Sequence, residues 1–279
     1  MVLVYLNGEF VPQAEARISV DDRGFLFADG VYEVVRVYDG RPFLMDAHLR
    51  RMRQGLHALR IDDPGVDGLA AIAERLLDEN RLRSGDATIY IQITRGAAPR
   101  AHVFPPAGTP PTVYVAAKPF QPHPPEYHRD GVAALTVPDT RWSRCDIKSV
   151  SLLANVLAKQ AAKEAGAFEA LFVRDGIVLE GSHSNVFAVY DGALVTYPAC
   201  NYILNGITRQ KVFDLAGQLG IPVVEAPIPL DRLFTASEVF LSGTTTEIMP
   251  VTRVDGREIG DGRPGPVTQR LQRAYRESI

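Results

Sequence analysis

Two short apolar runs, residues 2–6 and 10–11, flank Asn7-Gly8, a dipeptide suited to both central positions of a tight hairpin turn. Residues 30–38, Gly-Val-Tyr-Glu-Val-Val-Arg-Val-Tyr, alternate and then meet Asp39-Gly40, so a strand and a second turn are expected. From Asp46 the period lengthens. His48, Leu49, Met52, Leu56 and Leu59 share one broad helical face, with Asp46 placed to cap it. A second helix is expected over 66–80 through Leu69, Ile72, Leu76 and Leu77, followed by strands at 87–94 and 112–117. This half, residues 1–118, reads as a small α+β domain.

Residues 119–125, Pro-Phe-Gln-Pro-His-Pro-Pro, interrupt the pattern. Clustered prolines continue neither a helix nor a central strand, so 119–130 is expected to be a linker. The second domain, 131–279, is expected to start with a strand at 132–137 and a helix over 152–165. Strands at 170–173, 177–179, 186–189 and 194–195 follow, with turns at Asp175-Gly176 and Asp191-Gly192. A helix starts near Ile207, strands lie at 223–224 and 238–241, and a helix over 266–277 closes the chain. There is no internal repeat.

Composition narrows the function classes. The 279 residues carry a net charge of −3, which gives no electrostatic case for nucleic acid or an anionic membrane. No apolar run reaches membrane-spanning length. The apolar start lacks a basic stretch and enters a turn, so no signal peptide is expected. Cys145 and Cys200 offer neither a disulfide framework nor metal-ligand spacing, and no metal is expected. A cytoplasmic protein is the default expectation.

Lys148 is one of only five lysines, against twenty-five arginines. A strand-end surface lysine is the bland reading, and Lys159 and Lys163, four apart on a helix, show it. Lys148 instead lies between Ile147 and Val150, ahead of an apolar helix. Partial burial and neighbouring cations would favour the neutral amine, a nucleophile and base. Glu180 alone would be a solvated carboxylate. The Gly-Ser-His-Ser-Asn that follows allows close backbone approach and a local hydrogen-bond network, to which His183 belongs. An amine and a carboxylate of this kind suit an aldehyde cofactor: one forms a Schiff base, the other keeps a pyridine nitrogen protonated.

Two loops could hold an anion. Asn205-Gly206-Ile207-Thr208 precedes an apolar helix, whose N-terminus offers unpaired N–H groups. Residues 242–246, Ser-Gly-Thr-Thr-Thr, follow a strand and offer hydroxyls. Arg51 could supply compensating charge, although among Arg50 and Arg53 it also reads as an exposed arginine. Arg100 and His102, two apart in an extended segment, point the same way and could grip a carboxylate. An exposed basic loop is the alternative.

Together these segments resemble the D-amino acid aminotransferases among the fold-type IV pyridoxal-phosphate enzymes. The likeness covers nearly the whole chain. It is most specific at Phe27-Ala28-Asp29-Gly30-Val31-Tyr32-Glu33-Val34, His48-Leu49-Arg50-Arg51, Arg100-Ala101-His102, Asp146-Ile147-Lys148-Ser149 and Glu180-Gly181-Ser182-His183-Ser184-Asn185. It implies an α+β, two-domain architecture: a small N-terminal α/β domain and a larger C-terminal mixed-sheet, barrel-like domain with flanking helices.

The resemblance also implies roles. Lys148 would bind pyridoxal 5′-phosphate and shuttle the substrate proton, with Glu180 on the pyridinium nitrogen. Arg51, Ile207, Thr208, Gly243 and Thr244 would bind the phosphate. Tyr32, Arg100 and His102 would trap the substrate carboxylate, and Val34 and Arg36 would face the substrate. The last two trap residues come from the partner subunit in the family, so a homodimer with shared sites is implied. Partners would be D-amino acids such as D-alanine or D-glutamate, and 2-oxo acids such as pyruvate or 2-oxoglutarate. His183 and Arg36 depart from the serine and lysine common in relatives. An L-branched-chain aminotransferase and a 4-amino-4-deoxychorismate lyase share the fold type, but neither normally carries the Arg-x-His pair.

Overall fold

A computed structural model describes residues 2–279; Met1, at the head of the first apolar run, lies outside the described residues. The chain divides into two compact units, Met1–Pro122 with Ile147–Ser151, and His123–Asp146 with Leu152–Ile279.

The first unit contains β1 (Leu3–Leu6), β2 (Glu9–Pro12), α1 (Arg23–Phe27), β3 (Gly30–Tyr38), β4 (Arg41–Pro42), α2 (Met45–Leu59), α3 (Leu69–Glu79), β5 (Asp86–Thr94) and β6 (Thr112–Pro119). Its strands form one antiparallel sheet in the order β2-β1-β6-β5-β3-β4. The expected turns are present, with Asn7 and Gly8, and Asp39 and Gly40, all at positive φ. The alternation in β3 and β5 sends Val31, Val35, Val37, Ile89, Ile91 and Ile93 to the face covered by α2 and α3. There they share a core with Met52, Leu56, Leu76 and Leu77. Each fully buried aliphatic side chain contributes roughly 1.5–3 kcal/mol of transfer free energy, so the sheet is a firm platform. Tyr32, Val34 and Arg36 lie on the opposite face, paired across to Gln92, Tyr90 and Thr88.

The segment Ile147–Ser151 returns to this sheet from the stretch assigned by sequence to the second domain. Val31 and Ser149 form an isolated bridge, Tyr32 N–H donates to the Lys148 carbonyl (3.0 Å), and Val150 N–H donates to Gly30 O (3.1 Å). Backbone pairing with β3 thereby fixes Lys148.

The second unit contains α4 (Pro125–Asp130), β7 (Val132–Pro138), α5 (Leu153–Glu164), β8 (Glu169–Arg174), β9 (Ile177–Gly181), β10 (Asn185–Tyr190), β11 (Ala193–Thr196) and α6 (Ile207–Gln218). It continues with β12 (Val223–Glu225), β13 (Ile228–Pro229), α7 (Leu230–Leu233), β14 (Glu238–Gly243), β15 (Glu247–Val254), β16 (Arg257–Glu258) and α8 (Pro266–Glu277). Six strands close on themselves in the order β10-β14-β15-β7-β8-β9, and pairing of Glu180 with Asn185 seals the ring. Closure leaves these six strands no free edge. Val186, Ala188, Leu241, Met249 and Val251 are among the residues that fill its core.

Three local features differ from what the sequence suggested. Asp46 does not cap α2. Leu44 occupies the N-cap in a left-handed conformation (φ 58°) without a side-chain bond, and Asp46 sits in the first turn, where a carboxylate still suits the helix dipole. The proline-rich stretch 119–130 contains α4, because Pro125 stands at the helix start, where a missing N–H removes no helical bond. Strand β15 was not expected, and Pro250 lies within it. Pairing with β7 begins only at Val251, so Pro250 takes no donor from that ladder.

Candidate active site

In the first unit, Lys148 Nζ lies 3.3 Å from the Tyr32 hydroxyl and 4.4 Å from the centre of its ring. Tyr32 stacks on Tyr90 (5.9 Å), whose hydroxyl donates to Gln92 (2.6 Å). Burial and the neighbouring Tyr32 and Tyr114 push the Tyr90 phenol up to about 12, so it stays a neutral donor. An ammonium or amine is thus held at the end of an aromatic row.

Behind β3, Glu33 occupies a core-face position and is fully buried. Arg51 donates to it through Nε and Nη2, both at 2.7 Å, and His48 Nδ1 lies 2.7 Å from Oε2. Burial opposes a charge on Glu33. The Arg51 charge and the bonds from Arg51 and His48 outweigh it, and hold the carboxyl at about 2. Burial lowers the His48 pKa more than Glu33 raises it, and the charges of Arg51 and Lys148 lower it further. His48 is therefore a neutral donor, and the contact is a hydrogen bond, not an ion pair. Two nitrogens tied to one carboxylate fix the guanidinium plane of Arg51.

Arg36 shares the Tyr32 face but is buried. It pairs with Asp86 (3.0 Å) and lies over Phe120 (3.8 Å) and Tyr38 (4.9 Å). Its Nε and Nη1 have no hydrogen-bond partner among the described residues, since aromatic faces cover them. Val34 is half-buried opposite Tyr90. Arg100 and His102 are exposed and both pack on Phe27, at 5.1 and 5.6 Å.

In the second unit, Glu180 sits at the seam of the strand ring. Its Oε1 accepts from Arg141 Nη1, and its Oε2 accepts from Asn185 Nδ2 and the Leu204 N–H, both at 3.1 Å. Arg141 is held in turn by Asp139 (2.9 Å) and by the Tyr202 carbonyl (3.1 Å). Burial works against its charge, but Glu180 and Asp139 raise its pKa. The same Asn185 Nδ2 donates to the Leu204 carbonyl (2.8 Å), and a Cβ on Gly206 would come within 2.2 Å of Asn185 Oδ1. Glycine at 206 is therefore required by close approach.

Ile207 and Thr208 open α6 behind Gly206, and no side chain caps the helix. Arg209, fully buried, ties this start down through Asn205 Oδ1 (3.0 Å) and the Tyr197 carbonyl (3.1 Å). Gly243 and Thr244 follow Ser242, which pairs with Asn185. A second buried carboxylate, Glu169, lies under the loop after Glu180. It accepts from Ser182, from Ser184 Oγ (2.8 Å) and from the Ala170 N–H (2.9 Å), and His183 Nδ1 lies at 2.7 Å. Burial opposes this charge too, but His183, Lys159 and Ser182 hold the carboxyl at about 2. His183 Nε2 also lies 3.4 Å from Thr246 Oγ1. Glu180, Ile207, Thr208, Gly243 and Thr244 are thus assembled around Asn185 and the 181–184 loop.

The second-unit set fits an anionic aromatic ligand. It offers a paired carboxylate for a cationic ring nitrogen, an uncapped helix start for an anion, and a buried Ser242 Oγ without a partner among the described residues. Sequence reasoning missed Glu33, His48, Arg141 and Glu169. Only Glu33 carried a signal: a carboxylate among valines at a core-facing position needs a buried cation.

Residues 30–254 match the family model described as amino-transferase class IV. The chain belongs to this family. As a class IV aminotransferase it is 43% identical to a D-alanine aminotransferase of Bacillus licheniformis, over 99% of this chain and 96% of that one. Among solved structures, it is similar to the branched-chain amino acid aminotransferase of Escherichia coli, with a TM-score of 0.90 and 30% identity over 99% of this chain and 93% of that one. A second is the T.th. branched-chain amino acid aminotransferase complexed with N-(5′-phosphopyridoxyl)-L-glutamate, with a TM-score of 0.88 and 32% identity over the same shares. The fold is that of the fold-type IV aminotransferases. Among the described residues, no helix is long and apolar enough to cross a membrane.

Proposed function

We propose that the chain uses pyridoxal 5′-phosphate to move the amino group of a D-amino acid, such as D-alanine or D-glutamate, to pyruvate or 2-oxoglutarate. The observation that carries this reading is the Lys148 amine, pinned by β3 and aimed at the Tyr32 hydroxyl. The greater identity to a D-alanine aminotransferase than to the branched-chain enzymes supports D-substrates, as does the Arg100-x-His102 pair.

When bound, the cofactor supplies an electron sink that acidifies the substrate α-C–H bond. Lys148 would hold the cofactor, and its freed Nζ would move the proton between the substrate α-carbon and the cofactor C4′. Glu180, kept in place by Arg141 and Asn185, holds a proton on the ring nitrogen. Arg51, the N–H groups at Ile207 and Thr208, and the Gly243-Thr244 turn bind the phosphate. Tyr32, Arg100 and His102 orient the carboxylate and Val34 lines the substrate side, while Arg36, buried on Asp86 beneath Phe120 and Tyr38, supports that face from within. The active form is a cytoplasmic homodimer in which Arg100 and His102 serve the partner's site.

Steady-state assays with D- and L-alanine, D-glutamate and L-leucine against 2-oxoglutarate or pyruvate test the reading. D-alanine and D-glutamate should turn over with ping-pong kinetics, and borohydride should fix the cofactor on Lys148. Activity on L-leucine alone would overturn it. Mixing inactive Lys148→Ala subunits with Arg100→Ala subunits, whose KM for D-alanine should be raised, should generate sites of normal KM, and finding none would count against shared sites.

A further inference from the structure

Arg100 and His102 are exposed residues of an irregular segment, yet a carboxylate trap must hold its donors still. The structure supplies the anchorage within the first unit. Asp22 caps α1 through the Gly24 N–H (2.8 Å) and accepts from Thr94 (2.9 Å) and Thr112 (2.6 Å). It also bridges to Ala97, and Ala98 N–H donates to Asp21 O (3.2 Å). Next along α1, the buried Arg23 reaches out of this frame. Its Nη1 donates at 2.7 Å to the carbonyl of Ala101, the one residue between Arg100 and His102. Its Nε donates to Asp29 Oδ2 at 2.9 Å.

Asp29 is itself immobilised, taking Arg95 Nε and Nη2 at 2.7 and 2.9 Å. Arg95 in turn holds the carbonyls of Leu59 (2.7 Å) and Arg60 (2.8 Å) at the end of α2. The Phe27 ring completes the assembly: Arg23 lies 4.8 Å from its centre, Arg100 5.1 Å and His102 5.6 Å.

We propose that Arg23 is a positioning residue for substrate-carboxylate recognition, fixing the Ala101 carbonyl so that Arg100 and His102 present their donors together. This rests on the reading above, in which Arg100 and His102 meet the carboxylate. Arg23 touches no substrate. Its contribution is the orientation of one peptide, relayed from α2 through Arg95 and Asp29. A lysine at 23 keeps the charge but lacks the planar fork that serves two acceptors at once.

The test compares Arg23→Met, Arg23→Lys and Phe27→Leu with wild type, using D-alanine and 2-oxoglutarate. Arg23→Met should raise the KM for D-alanine about tenfold, the scale of one charged hydrogen bond, with kcat within about twofold. Arg23→Lys should fall between, and Phe27→Leu, which leaves the Arg23 bonds intact, should give a smaller rise in KM. The dissociation constant for pyridoxal phosphate should not change. Amide exchange should accelerate over 99–104 alone. An unchanged KM, or losses of kcat and cofactor affinity instead, would overturn the proposal. If Arg23→Met does not fold, the lysine and leucine variants carry the same KM and exchange criteria. Arg100→Ala run in parallel separates the two readings. A normal KM there defeats the carboxylate assignment itself, whereas a raised KM there with a normal one in the Arg23 variants defeats only this inference.

Discussion

Glu33 in the first unit and Glu169 in the second are both fully buried carboxylates held at about 2, yet they are satisfied differently. Glu33 faces a guanidinium and a neutral imidazole, so a permanent cation carries the pairing. Glu169 is met by two hydroxyls, a backbone N–H and His183, with Lys159 Nζ at 3.9 Å. A buried charge is tolerated only when fully paired, and both sites meet that demand. The difference lies in what becomes ordered. Glu33 orients a side chain, Arg51. Glu169 orients a stretch of backbone, the loop following Glu180.

The largest effect is expected from Glu33→Ala, which removes the buried carboxylate that holds the Arg51 guanidinium through two nitrogens. We predict a loss of about 3–5 kcal/mol in urea unfolding. The dissociation constant for pyridoxal phosphate should also rise by about tenfold or more, read by absorbance titration. Unaltered cofactor affinity would show that Arg51 does not need Glu33 to be aimed.

Glu169→Gln should cost less, about 1–3 kcal/mol, because its hydroxyl partners can still bond an amide. Its effect on pH dependence is more telling. A carboxyl lowered from 4.5 to about 2 contributes stability above pH 4.5 that is lost as pH falls towards 2. Glu33 adds a loss over the same window. His48, whose pKa is lowered, adds another that begins as pH drops below 6.5, where the unfolded imidazole takes a proton the folded one resists. Glu169→Gln should therefore flatten the acid limb below pH 4.5 only, and His48→Gln should flatten it from pH 6.5 downward. Identical profiles for the two variants would remove the distinction between the clusters.

His183→Ser should have the smallest effect, about 0.5–1.5 kcal/mol, since Ser182, Ser184 and Ala170 still satisfy Glu169. A loss above about 3 kcal/mol in thermal or urea unfolding would mean that the imidazole, not the hydroxyl set, holds that carboxylate.

Much of the fold was legible because period and turn chemistry agree locally. Alternation placed β3, Ile207 marked the start of α6, and Pro266 the start of α8. The strand ring was expected through the resemblance, as a barrel-like mixed sheet, and not from local periodicity. Its parallel β7–β8 and β7–β15 contacts join distant segments, and Pro250 lies within β15. Lys148 and Glu180 stood out because their immediate neighbours are unusual. Arg141 did not: in Asp139-Thr140-Arg141-Trp142-Ser143-Arg144 nothing local separates it from Arg144, yet one is buried on Glu180 and the other is exposed with Asp146. The Arg23–Ala101 contact is likewise a tertiary fact, spanning residues that no spacing rule connects.

The strand ring also has a kinetic side. Its seam at Glu180 and Asn185 joins residues only five apart, so closing that junction restricts little chain. The β7–β15 junction joins Val132 to Val251 and must gather most of the unit before it forms. The carboxylate assigned to the ring nitrogen therefore sits at the entropically cheap junction of the ring, and the expensive one falls at a place where no chemistry is assigned.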